Sequence, residues 1–102
     1  MFLVRRIFKV KRGTARKAAE VITEIGNMYE EAGLRTRSRV YTSGITVPGP
    51  VDTVYMDWVE EALKSPYRDD NPKPEREDEL FSQLANYVDE PSTVEFYEMY
   101  SS

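Results

Sequence analysis

The chain has 102 residues, 40% of them hydrophobic, with 18 Asp or Glu against 14 Lys or Arg, which suits one domain around a single modest core. It contains no cysteine and no histidine, so disulfides, thiolate metal sites and cysteine nucleophiles are excluded, and so are the commonest general base and the usual zinc and haem ligand. No metal or other cofactor is therefore expected, and with no run long enough to span a membrane and no secretory signal, a single cytoplasmic domain over residues 1–102 is expected.

From Phe2 to Arg12 the residues alternate, with Phe2, Val4, Phe8 and Val10 on one side and Leu3 and Ile7 on the other, the period of a strand. Residues 1–19 are basic and acid-free, as in an organellar transit peptide. The period-two pattern opposes that reading, because transit peptides form amphipathic helices. After Gly13 the spacing turns helical. Thr14 is placed to cap the helix and Gly33 to close it in the left-handed conformation. Ala15, Ala18, Ala19, Ile22, Ile25, Tyr29 and Ala32 form its apolar stripe.

A second strand is predicted from about Leu34 to Ile45, with Arg35, Arg37, Arg39 and Tyr41 on one face and Thr36, Ser38, Val40 and Thr42 on the other. Neither face is strongly apolar, which suits an edge. Gly44 and Val47-Pro48-Gly49-Pro50 reverse the chain into a third strand, Val51 to about Val59. There Val54, Met56 and Trp58 alternate with Thr53, Tyr55, Asp57 and Val59, and Trp58 is expected beneath the helices as core. Glu60 to Ser65 reads as a short helix, and Asp57 with Glu60 has the spacing of a capping box that ends the strand early. Ser65 to Pro74 is dense in proline and turn formers and is expected to be an exposed loop. A second helix opens near Pro74 with Glu75, Glu77, Asp78 and Glu79 at its positive end. Its apolar positions are Leu80, Phe81, Leu84, Tyr87 and Val88, and it stops before Pro91. Thr93 to Tyr100 again reads as a strand.

This order predicts an α+β, ferredoxin-like βαββαβ fold, a four-stranded antiparallel sheet with both helices on one face. Residues 1–39 carry ten Lys or Arg against four acids, and residues 40–102 carry four against fourteen. With the first strand between the third and fourth, Arg5, Arg6, Lys9 and Lys11 would face Asp57, Glu95 and Glu98 across the ladder; alternatively these charges are a solvated mixed surface. The bare sheet face carries Leu3, Ile7, Tyr55, Val59, Tyr97 and Met99, so a homodimer through that face is expected.

The element order and three segments, Gly33-Leu34-Arg35-Thr36-Arg37, Arg39-Val40-Tyr41-Thr42-Ser43-Gly44 and Val54-Tyr55-Met56-Asp57-Trp58-Val59-Glu60, resemble the dimeric alpha-beta barrel superfamily, in particular its NIPSNAP-like branch. The resemblance implies a dimeric α/β barrel with a ligand-sized cavity in each subunit. The superfamily includes cofactor-free monooxygenases, isomerases, haem-dependent enzymes and proteins without established activity. Its haem-using branches rely on histidine, which this chain lacks.

In such a cavity Arg37 or Arg39 would clamp a carboxylate or phosphate, unless the arginines merely guard an edge strand. Tyr41, Tyr55 and Tyr97 offer phenols to an aromatic or enolic ligand, or serve packing and the interface. Asp57 is the best available base, since burial makes a carboxylate more basic, with Tyr55 as a second proton-handling group. Nucleic-acid binding is not expected, because the third strand carries no Lys or Arg and the chain is acidic. Amino-acid-sensing modules share the topology but normally accompany a second domain. Two functions remain: a dimeric small-molecule binding or interaction protein of NIPSNAP-like type, or a cofactor-free enzyme of monooxygenase or isomerase type acting on a small hydrophobic or aromatic acid.

Overall fold

Alternation and helical spacing translate into six elements in the computed structural model, which describes residues 1–63 and 73–101. They are β1 (Phe2–Lys9), α1 (Ala15–Glu31), β2 (Arg39–Ser43), β3 (Thr53–Glu60), α2 (Glu77–Ala85) and β4 (Thr93–Glu98). The four strands form one antiparallel sheet in the order β2-β3-β1-β4, the ferredoxin-like α+β arrangement. The chain is a slab of 37 × 35 × 21 Å, the depth of one helical layer on one sheet.

Even-numbered residues of β1 and β3 point to the helices. Val4, Phe8, Val54, Met56 and Trp58 meet Ala18, Val21, Ile22 and Ile25 of α1 and Leu80 and Leu84 of α2 in one buried core. Each of the larger aliphatic and Phe side chains among them contributes roughly 1.5–3 kcal/mol by leaving water. Gly26 allows close approach, because a Cβ there would collide with the Ser38 side chain, which lies beside Met56. Thr14 stands at the N-cap, but its hydroxyl donates to the Lys11 carbonyl at 2.6 Å and not to the helix. At the other end Gly33, at φ 72°, closes α1. Gly33 N–H donates to Glu30 O and Leu34 N–H to Tyr29 O, the paired bonds of a Schellman closure.

Four expectations are corrected. The second strand starts only at Arg39, so Arg35 and Arg37 precede it. The third strand runs unbroken to Glu60, with Asp57 in mid-strand and not at a helix cap. No helix forms over Glu60 to Leu63, and the rest of that segment and most of the Pro66 to Pro74 loop lie outside the described residues. Of the basic residues expected to face carboxylates, only Arg5 does, opposite Asp57 and Glu95, whereas Arg6 lies opposite Met56 and Val94 and Lys9 opposite Thr53. No helix among the described residues is long and apolar enough to cross a membrane.

Candidate functional site

Odd-numbered positions place a polar network on the bare face of the sheet. Register sets Asp57 between Arg5 and Arg39, and Tyr55 between Ile7 and Tyr41. Arg39 grips Asp57 through both carboxylate oxygens, Nε to Oδ1 at 2.8 Å and Nη2 to Oδ2 at 3.2 Å, the two-pronged geometry that suits a planar guanidinium. Tyr41 adds a third donor, its hydroxyl 2.6 Å from Asp57 Oδ2. Asp57 is thereby only 4% exposed on a face with no helix over it. The Tyr41 and Tyr55 rings stack at 5.3 Å, Tyr55 shares a hydrogen bond with Ser43 Oγ at 2.9 Å, and the Arg5 guanidinium lies 4.4 Å over the Tyr55 ring. Arg5 also pairs with Glu95 at 3.7 Å, and Tyr97 donates to Glu95 at 2.7 Å.

Of the six residues singled out from sequence, Asp57, Tyr55, Arg39 and Tyr41 thus come together on adjacent strands. Tyr97 lies on the far edge, joined to them only through Glu95 and Arg5. Arg37 is exposed in the segment before β2. With three donors on its two oxygens, Asp57 fastens β2 to β3 and has no oxygen left without a partner.

Burial and the hydrogen bond to Asp57 push the Tyr41 hydroxyl up to about 12 from an ordinary 10. The folded chain therefore holds this proton more tightly than the unfolded chain. The associated stability is fully present below pH 10 and drains away as pH rises toward 12. Urea titrations across that window are expected to show a steep loss for the wild type and a shallower one for Tyr41→Phe; equal slopes would remove Tyr41 as the cause.

The other face of the sheet holds a feature that no candidate residue anticipated. A pocket of about 440 Å³ opens between the end of α2 and the sheet, lined by Phe8, Phe81, Leu84, Ala85 and Val88, by Arg6 and Ser92, and by Asp89 and Glu90 at residues exposed to water. Arg6 occupies a core-facing position of β1 beside Val4 and Phe8. Its Nη2 donates to Ser92 Oγ at 2.9 Å, while its Nε is buried and without a hydrogen-bond partner. Among the described residues no carboxylate forms an ion pair with it. Burial lowers its pKa from the usual arginine value. Parity carries this signal: an arginine at an even position of β1 between Val4 and Phe8, both core.

Arg35, expected beside Arg37 and Arg39, has swung to the helix face. Its guanidinium lies 4.0 Å from both the Tyr29 and the Trp58 rings, a double stacking that suits arginine's flat, weakly hydrated head. Trp58 in turn donates its indole N–H to Glu60 at 2.8 Å. Among the described residues no three acidic side chains come close enough to hold a metal ion.

No family model and no curated protein matches the chain. Solved structures share its fold. A NIPSNAP domain protein from Burkholderia xenovorans superposes with a TM-score of 0.69 at 11% identity, over 97% of this chain and 94% of that one. A NIPSNAP family protein from Agrobacterium tumefaciens gives 0.63 at 15% identity, over 95% and 90%. An antibiotic biosynthesis monooxygenase gives 0.64 at 12% identity, over 99% and 100%. The NIPSNAP-like, ferredoxin-like fold expected from the sequence is the one these structures share.

Proposed function

We propose that this chain is a homodimeric binding protein of NIPSNAP-like type, whose pocket beside α2 takes a small apolar molecule bearing a carboxylate. The observation that carries this is Arg6: a guanidinium with a buried, unbonded Nε at the wall of a largely apolar cavity. Arg6 is half-buried, with a hydrogen bond to Ser92 and the Phe8 ring 5.7 Å from its guanidinium but no carboxylate paired to it among the described residues, and a ligand carboxylate would add a charge-assisted hydrogen bond. The cavity volume lies within the usual range of about 300–1,000 Å³ for small-molecule sites. The anion-holding role thus falls to Arg6 instead of Arg37 or Arg39, and Tyr41, Tyr55 and Tyr97 are left to the bare sheet face.

The dimer rests on the bare sheet face. Leu3, Ile7 and Val59 line the face, and Tyr97 remains 44% exposed there. A second copy packed on this face would cover them and desolvate the Arg39-Asp57-Tyr41 cluster.

A cofactor-free enzyme is the second reading, favoured by the likeness to the antibiotic biosynthesis monooxygenase over nearly the full length of both chains. It is weakened by Asp57, whose oxygens are occupied and which lies on the opposite side of the sheet from the pocket.

Calorimetric titration of the full chain with hydrocinnamate and isocaproate, against the corresponding amides, tests the binding reading. The acids are expected to bind at least ~10-fold more tightly, as a charge-assisted bond worth about 1.5–3 kcal/mol requires. Equal binding of acid and amide, or none of either, would overturn it.

A further inference from the structure

The pocket that holds Arg6 is not lined by one sign of charge. Asp89 and Glu90 line it too, and among the described residues neither pairs directly with the guanidinium. All three residues belong to the lining of this one pocket. The tip of Arg6 is tied to Ser92 at 2.9 Å, two residues beyond Glu90 and three beyond Asp89. That segment is fastened to β1: Asp89 N–H donates to Lys9 O at 2.9 Å, and Lys11 N–H donates to Tyr87 O at 2.8 Å. The two acidic residues thus sit on a segment anchored to β1, in the lining that also holds half-buried Arg6, with Phe8, Phe81, Leu84 and Val88 completing the cavity.

From this juxtaposition we infer that the ligand carries an amine as well as a carboxylate on an apolar body, as a hydrophobic α-amino acid does. The inference rests on the binding reading above and deepens it. A plain acid would satisfy Arg6 but set its own charge near two acidic residues that form no ion pair among the described residues. A plain amine would leave Arg6 unpaired in an apolar wall, the more costly error because Arg6 is the more desolvated group. A zwitterion meets both demands, with its carboxylate on the buried side and its ammonium toward the water-exposed acids. Because Asp89 and Glu90 lie at exposed residues, their share is selectivity, a few-fold in affinity, and it is sensitive to salt.

The test compares L-phenylalanine with hydrocinnamate, its deamino analogue, and with phenethylamine, which lacks the carboxylate, by calorimetry on the full chain. A second pair, L-leucine and isocaproate, controls for ring-specific effects. L-Phenylalanine is expected to bind about two- to ten-fold more tightly than hydrocinnamate at low ionic strength, with the gap closing at high salt, and phenethylamine is expected to bind weakest. In a D89N/E90Q double variant the preference should vanish, with hydrocinnamate binding more tightly than to the wild type because the repelling charges are gone; both side chains are exposed, so the fold is not at risk. Hydrocinnamate binding as tightly as L-phenylalanine to the wild type, or the preference surviving in the double variant, would overturn the inference and leave the Arg6 pocket standing. Binding of none of the compounds would remove both.

Discussion

Replacing Arg6 by methionine is expected to make the protein more stable and, at the same time, unable to hold a carboxylate ligand. Methionine keeps most of the volume and the flexible stem of arginine while removing a charge that no residue described here neutralises. Exchanging a buried charge for an apolar side chain of similar size stabilises proteins by up to several kcal/mol. Since Arg6 is only partly buried and gives up its bond to Ser92, a gain of about 1 kcal/mol is reasonable, which for a domain of this size raises Tm by about 4–8 °C. The affinity for hydrocinnamate should fall roughly 10- to 100-fold. Melting curves at matched protein concentration and titrations on the same preparations read both changes. A variant that melts lower than the wild type and binds as before would show Arg6 to be a structural residue, and the pocket reading would go with it.

The second large effect is expected at the opposite face. Ile7 projects from the central strand β1 between Tyr55 and Thr93, in line with Arg5 and Lys9. Lysine at position 7 would stand between two other cations in the middle of the proposed interface, and twofold symmetry would introduce it twice. Each copy costs on the order of 1–3 kcal/mol when an unpaired charge is brought against an apolar surface, so the dimer dissociation constant should rise at least ~30-fold. Sedimentation is expected to give dimers for the wild type and monomers for Ile7→Lys at the same micromolar loading. The variant subunit should keep its far-ultraviolet spectrum, because Ile7 is already partly exposed in the single chain. A wild type that sediments as a folded monomer would discard the dimer.

Much of this architecture could be read from residue order. Alternation in the first and third strands placed Val4, Phe8, Met56 and Trp58 under the helices and Leu3, Ile7, Tyr55 and Val59 on the bare face, because side-chain direction in a strand has a fixed period of two residues. The same parity brought Arg39, Tyr41, Tyr55 and Asp57 to one surface. It failed where the chain was not yet a strand. Arg35 and Arg37 continue the alternation of Arg39 and Tyr41, but after the turn at Gly33 the backbone is irregular up to Ser38, and period-two logic has no force there. Arg35 is positioned by what it can stack on, the faces of Tyr29 and Trp58, a tertiary contact that its neighbours in sequence do not encode. Arg6 differs: its parity is plain, but the contrast between a basic first half and an acidic second half does not say which face a side chain takes.

Trp58 is the chain's only tryptophan, 5% exposed and bracketed by the Arg35 cation above its ring and the Glu60 carboxylate at its N–H. Its emission comes from a single, well-defined environment, so fluorescence needs no added dye to follow this molecule. Loosening of the helical layer would move the indole into water and redden the spectrum, while events confined to the far side of the sheet would leave the colour untouched. One optical channel thus separates what happens beneath the helices from what happens where two subunits would touch.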